Sequence, residues 1–125
     1  VKHLGDYAEL KFTVRAFEQG YAVLRPFSAR PYDFVLEKNG NFLRVQVKST
    51  SLALQKSGRF PVTIRYGSSP KRKYTREHCD AIAIYIKALD MFYLIPIDFI
   101  TSVRLSLYPL RPKYRFNEFK ENWSI

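Results

Sequence analysis

The sequence predicts one α+β domain, a mixed sheet with helices packed on it, and three observations carry that expectation. Apolar residues at helical period open the chain, several short strand-like runs follow, and Asn39-Gly40 sits between two runs of alternating polarity. Helix, then many strands, then a closing helix is the order of an α+β or mixed α/β sandwich.

The first helix is expected in "GDYAELKFTVRAFEQG", where Tyr7, Leu10, Val14 and Phe17 fall on one stripe at spacings of three and four. Asp6 is the expected N-cap and Gly20 the expected stop, with Glu9 one face round beside Thr13 and Ala16. "YAVLRPF" reads as a short strand that Pro26 ends. "PVTIRY" (61–66) is a further strand and "GSSPKRKYTR" a basic loop. "AIAIYIK" (81–87) and "MFYLIP" (91–96) carry so little charge that both are expected to be central strands. "SVRLSL" is expected as an outer strand, and "NEFKENW" as a short closing helix with Phe119 and Trp123 on one side.

The hairpin fixes geometry. With Asn39 and Gly40 as the turn, Lys38 faces Asn41, Leu36 faces Leu43, and Phe34 faces Val45. Phe34, Leu36, Leu43 and Val45 then share one apolar face, and a slip by one residue would put polar side chains there. The same register sets Asp33 opposite Gln46, with Cβ atoms about 4.5–5.5 Å apart. Lys48 follows on that face, about 6.5 Å along the strand. An acid oxygen, an amide oxygen and an ammonium so placed suit Mg²⁺ and attack on a phosphate. Taken alone, the hairpin reads first as a wet face of Asp33, Arg44, Gln46 and Lys48, with Asp33 and Lys48 a weak ion pair.

Composition narrows the partners. The 125 residues are the size of one domain, 1–125, and at 46% hydrophobic and 16% aromatic they can bury a core. Lys and Arg number 21 against 11 Asp and Glu, a net +10, with pI near 9.9. That balance favours a polyanion, nucleic acid ahead of a membrane surface. Cys79 is the lone cysteine, so no intramolecular disulfide can form and a reducing, cytoplasmic setting is expected. His3 and His78 with one cysteine do not make a zinc site. No apolar run approaches the roughly 20 residues of a membrane span, and no signal peptide is expected.

Read together, Glu9 in "GDYAELKF", Asp33 in "RPYDFVL" and Gln46-Val47-Lys48 in "RVQVKST" resemble the signature of the PD-(D/E)xK nuclease superfamily. Within it the chain is similar to bacterial group I intron-encoded homing endonucleases of the restriction-enzyme fold. Those share "YD", "VQVK", a "YLIP"-like strand and a late Trp segment like "ENWSI". Tyr32 separates Pro31 from Asp33, and Gln46 stands where most members carry Asp or Glu. The resemblance implies a restriction-endonuclease-like core and hydrolysis of duplex DNA by a metal-activated water. Asp33, Gln46 and the Val47 carbonyl would hold Mg²⁺, with Mn²⁺ as a substitute. Lys48 would position the water, and Glu9 would act behind them. Cutting two strands calls for a symmetric homo-oligomer, a dimer or tetramer.

DNA contacts are expected from Lys71, Arg72, Lys73, Tyr74 and Arg76 in "SPKRKYTR", and from Arg30, Arg59 and Arg65. Arg25 and Lys56 are further candidates, whereas Arg111, Lys113 and Arg115 either join them or brace an oligomer. A Holliday-junction resolvase of the same fold and a catalytically silent DNA-binding module remain as alternatives to the homing reading.

Overall fold

A computed structural model describes residues 2–52, 56–67 and 72–125. Helix α1 (Leu4–Glu18) buries Ala8, Phe12 and Ala16, a line of residues four apart. The two alanines let the helix lie close to the sheet, and Phe12 packs against Phe34, Phe92 and Trp123 at centroid distances of 5.4, 5.8 and 5.4 Å. The expected stripe points the other way: Leu10, Val14 and Phe17 are 68%, 55% and 58% exposed. Two apolar lines of helical period run along this helix, and period alone does not say which one meets the sheet. His3, not Asp6, holds the cap position, and Asp6 lies in the first turn, where its charge still suits the helix dipole. Gly20 ends the helix as expected, at φ +87°.

Strand β1 (Ala22–Leu24) pairs with β2 (Phe34–Lys38), which turns through Asn39-Gly40 into β3 (Asn41–Thr50). Both turn residues have positive φ, 54° and 81°, the requirement of a type I′ turn. The register is the expected one, Phe34 with Val45, Leu36 with Leu43 and Lys38 with Asn41. β5 (Ala81–Ile86) runs parallel to β3, from Val45 beside Ala81 to Thr50 beside Ile86, and β6 (Met91–Pro96) returns antiparallel. The mixed sheet has the order β1-β2-β3-β5-β6. β5 is central as expected, but β6 ends the order, its outer edge covered by the bridge of Tyr93 with Lys120 and by Glu121.

The sheet separates two cores. On one face α1 covers Phe34, Leu36, Val45, Val47, Ala83, Tyr85, Phe92 and Trp123. On the other, Ile82, Ile84 and Ile86 pack under a separate ribbon of β4 (Phe60–Thr63) and β7 (Arg104–Leu107). β4 is shorter than expected, and Tyr66 instead bridges Arg72. The closing segment makes one 3-10 turn, Asn117–Phe119. Phe119 and Trp123 do not share a side; they enter opposite cores, because the chain crosses the end of the sheet between them. α1 is therefore the one α-helix among the described residues, and none of these is long and apolar enough to cross a membrane.

Candidate active site

The ladder between β2 and β3 stops at Phe34 and Val45, whereas β3 runs on to Thr50 with β5 as its partner. Asp33, just outside β2, sends its N–H to the Val45 carbonyl at 3.0 Å, and its Oδ2 accepts the Val47 N–H at 2.9 Å. A strand residue points its N–H and C=O to the same side. The Val47 carbonyl therefore also looks past the end of β2, next to the Asp33 carboxylate.

Gln46 and Lys48, half-buried, project on the opposite face from Val45 and Val47. Lys48 holds its ammonium over the Tyr74 ring, 5.2 Å from the centroid. Burial lowers its pKa, opposed by the Asp33 charge and aided by Arg65. Among the described residues it makes no ion pair with Asp33, so the weak surface pair weighed above is not formed.

Glu9 reaches the same place from α1, which Lys11 and Arg15 tie to Asp90 at 3.3 and 3.1 Å and Arg15 to Glu121 at 2.9 Å. Burial and then the nearby Asp33 charge raise the Glu9 pKa, against the pull of Arg25. Burial also raises Asp33, while the Val47 hydrogen bond, Lys48 and Arg25 work against it. Two carboxyls that both resist ionisation, one oxygen of Asp33 without a partner among the described residues, the Gln46 amide and the Val47 carbonyl are a hard-oxygen set that could hold a divalent cation. No group of three His, Cys, Asp or Glu among the described residues could hold one, so the neutral oxygens matter.

The polar row on β3 is not uniform. Arg44, which belongs to it, is fastened to Asp80 through Nε at 3.2 Å, Nη2 at 3.0 Å and its backbone N–H at 2.8 Å, and to the Arg76 carbonyl. It braces the start of β5 and is not open to a ligand. Gln46 and Lys48 remain.

The expected DNA contacts scatter. Arg30, Arg59, Arg72, Lys73 and Arg76 are exposed, Arg65 is half-buried near Lys48, and Lys71 lies outside the described residues. Arg59 rests on Ser106 Oγ at 2.9 Å, and Arg76 is paired with Asp98. Tyr74 is corrected: at 5% exposure its ring lies in the core, T-shaped to Tyr66 and His78, because the Lys48 stem and this cluster close over it. Burial pushes its hydroxyl up to about 12. Phe92 and Tyr93 are core.

The link between Glu9 and Arg25 was not foreseen. Arg25 Nη2 pairs with Glu9 Oε1, and its guanidinium lies over the Phe34 ring, 5.1 Å from the centroid. The β1–β2 register contains the signal: Leu24 faces Val35, so Arg25 falls beside Phe34 and next to Asp33.

The family described as PD-(D/E)XK endonuclease matches residues 1–122. The solved structure of a bacterial homing endonuclease, I-Ssp6803I, superposes with TM-score 0.82 at 28% identity, over 99% of this chain and 90% of that one. Hjc, a Holliday junction resolvase from the archaeal hyperthermophile Archaeoglobus fulgidus, superposes with TM-score 0.50 at 17% identity, over 86% of this chain and 95% of that one. At that identity the second likeness speaks for the fold alone. No curated protein sequence matches the chain. The helix and mixed five-stranded sheet are thus a restriction-endonuclease-like fold.

Proposed function

The chain belongs to the PD-(D/E)XK endonuclease family of metal-dependent phosphodiester hydrolases, and on that premise we propose that it is a homing-type enzyme cutting a specific site in duplex DNA. The observation that carries the reading is the Asp33 carboxylate on the Val47 N–H, between Gln46 and Lys48, where β2 leaves β3. The likeness to the bacterial homing endonuclease over nearly both chains supports it.

Asp33, Gln46 and the Val47 carbonyl would hold Mg²⁺, with Mn²⁺ as a substitute. When bound, the cation supplies positive charge to the phosphate oxygens and makes water a better acid. Asp33 is oriented for this by accepting the Val47 N–H, which leaves its other oxygen without a partner among the described residues. Lys48, held over Tyr74, presents an ammonium that orients water and stabilises charge developing on the phosphate. Gln46 contributes an oxygen but no charge, and Glu9 offsets part of that deficit from α1.

Cutting both strands needs two such sites, so a homo-oligomer acting at DNA inside the cell belongs to this reading. Exposed Arg30, Arg59, Arg72, Lys73 and Arg76, with Arg65 and Lys71, are the phosphate and base contacts it uses. Nothing beyond shared fold favours a junction resolvase.

The test is Mg²⁺-dependent cleavage of linear duplexes that include the chain's own insertion site, run beside a four-way junction. The homing reading expects one linear site to be cut, with Asp33→Ala and Lys48→Ala binding DNA without cutting it. Junction cleavage irrespective of sequence would replace it with the resolvase, and binding without any metal-dependent cleavage with the silent module.

A further inference from the structure

Among the described residues, Arg25 is the one basic side chain from outside the strand carrying Lys48 whose charge acts on both carboxylates of the site. Three things hold it there. It follows β1 in register with Phe34, its guanidinium lies over the Phe34 ring at 5.1 Å, and Glu9 takes one of its N–H groups. An aromatic face and a carboxylate together fix the plane of a guanidinium and leave its other donors free. Its side chain is still 67% exposed, so those donors are open to a ligand.

We propose that Arg25 binds a phosphate of the DNA strand being cut, a guanidinium aimed by Glu9 and Phe34 at the end of the hairpin that carries Asp33 and Lys48. This rests on the endonuclease reading and extends it. Glu9 then acts as a positioning residue for Arg25. The planar fork matches two phosphate oxygens, which the point charge of a lysine does not. The same guanidinium lowers the cost of holding the Glu9 and Asp33 charges close together.

The experiment compares wild type, Arg25→Ala, Arg25→Lys and Glu9→Gln. Binding of a fluorescein-labelled random-sequence duplex is followed across salt with Ca²⁺ in place of Mg²⁺, and cleavage of a plasmid carrying the chain's own insertion site is followed with Mg²⁺. Arg25→Ala should make the slope of log affinity against log salt shallower by about one, and slow cleavage at saturating enzyme by about 10²-fold. Arg25→Lys should recover the slope but not the rate, and Glu9→Gln should slow cleavage with the slope unchanged. Thermal melting checks folding, which an exposed arginine should not disturb.

A wild-type slope in Arg25→Ala overturns the inference whatever the rate does, because Arg25 then serves only to pair Glu9. Wild type that binds duplex but cuts nothing removes the endonuclease reading while the slope still reports on Arg25. Wild type that cuts, beside an Arg25→Ala with unaltered slope, removes this inference alone.

Discussion

The Asp33 carboxylate accepts the Val47 N–H at 2.9 Å, which fastens the side chain of the last residue before β2 to the strand that carries Gln46 and Lys48. It gives Asp33 two separable jobs. Asp33→Ala leaves the Val47 N–H unpaired, at a cost of about 1–3 kcal/mol. Asp33→Asn keeps an acceptor there and removes a buried charge. Urea unfolding at neutral pH without metal should therefore find Asp33→Ala less stable than wild type and Asp33→Asn at least as stable. Neither should cut DNA with Mg²⁺. Full cleavage by Asp33→Asn would show that the carboxylate is not part of the reaction.

The pH dependence of the same pair follows from the direction of its shifts. Asp33 and Glu9 both have raised folded pKa values, so the folded chain binds more protons than the unfolded one in the window above their ordinary values. Stability from these groups is greatest below the ordinary carboxylate range and is lost as pH rises through the raised values. A cation should reverse this by stabilising the charged forms. Mg²⁺ is expected to raise the melting temperature of wild type at neutral pH, to do so less on acidification, and to leave Asp33→Asn unmoved. An equal Mg²⁺ shift in that variant would place the ion elsewhere.

Much of this was legible from residues 33–48, and for a physical reason. The Asn-Gly turn and the apolar face of Phe34, Leu36, Leu43 and Val45 select the register the strands adopt, and that register brings Asp33 to the end of the hairpin, against the Val47 N–H between Gln46 and Lys48. What the sequence did not reveal depends on contacts remote along the chain. The α1 stripe was assigned to the wrong face because Ala8 and Ala16 are weakly hydrophobic, yet their small size is what close packing on the sheet demands. Tyr74 read as part of a basic loop because its neighbours are charged, although its ring belongs under Lys48. Arg44 shares the polar face of β3 with Lys48, and only Asp80, distant in sequence, takes it out of that row.

Gln46 offers the sharpest chemical probe. Gln46→Glu adds a third carboxylate beside two that already resist ionisation. Without metal the variant should be less stable than wild type at neutral pH, and the gap should close as Mg²⁺ is added. Its metal affinity should rise by about tenfold or more, read from the Mg²⁺ concentration that gives half-maximal cleavage. If both curves superpose on wild type, Gln46 is a surface residue.

Arg44 and Asp80 should separate stability from chemistry. Burial works to raise the Asp80 pKa, but the Arg44 hydrogen bonds outweigh it and hold it below the ordinary value. Stability from Asp80 is therefore present above that value and lost as pH falls through the depressed one, opposite in sign to Asp33 and Glu9. The two side chains are about a third exposed, so Arg44→Ala should cost roughly 1–2 kcal/mol after allowance for solvent screening. Urea titration reads that cost. The Mg²⁺ concentration for half-maximal cleavage should not move, and a large change in it would mean that Arg44 acts within the site itself.

Lys48 tests how the aromatic cluster serves the site. Its folded pKa lies below the ordinary lysine value because of burial, so the charged form is penalised at neutral pH and stability rises with pH through that lowered range. Lys48→Met should keep most of the packing, remove the penalty and be at least as stable as wild type at pH 7, while abolishing cleavage. Tyr74→Phe keeps the ring under the ammonium and should leave the pH profile of cleavage in place. Tyr74→Leu removes the ring, so the alkaline limb of that profile should shift to lower pH as the protonated lysine loses its cation–π support. Calorimetric melting distinguishes this from a general loss of core packing, since packing loss lowers the melting temperature without moving the limb. An unmoved limb in a folded Tyr74→Leu would mean that the ring is only core to Tyr66 and His78, with no part in holding Lys48.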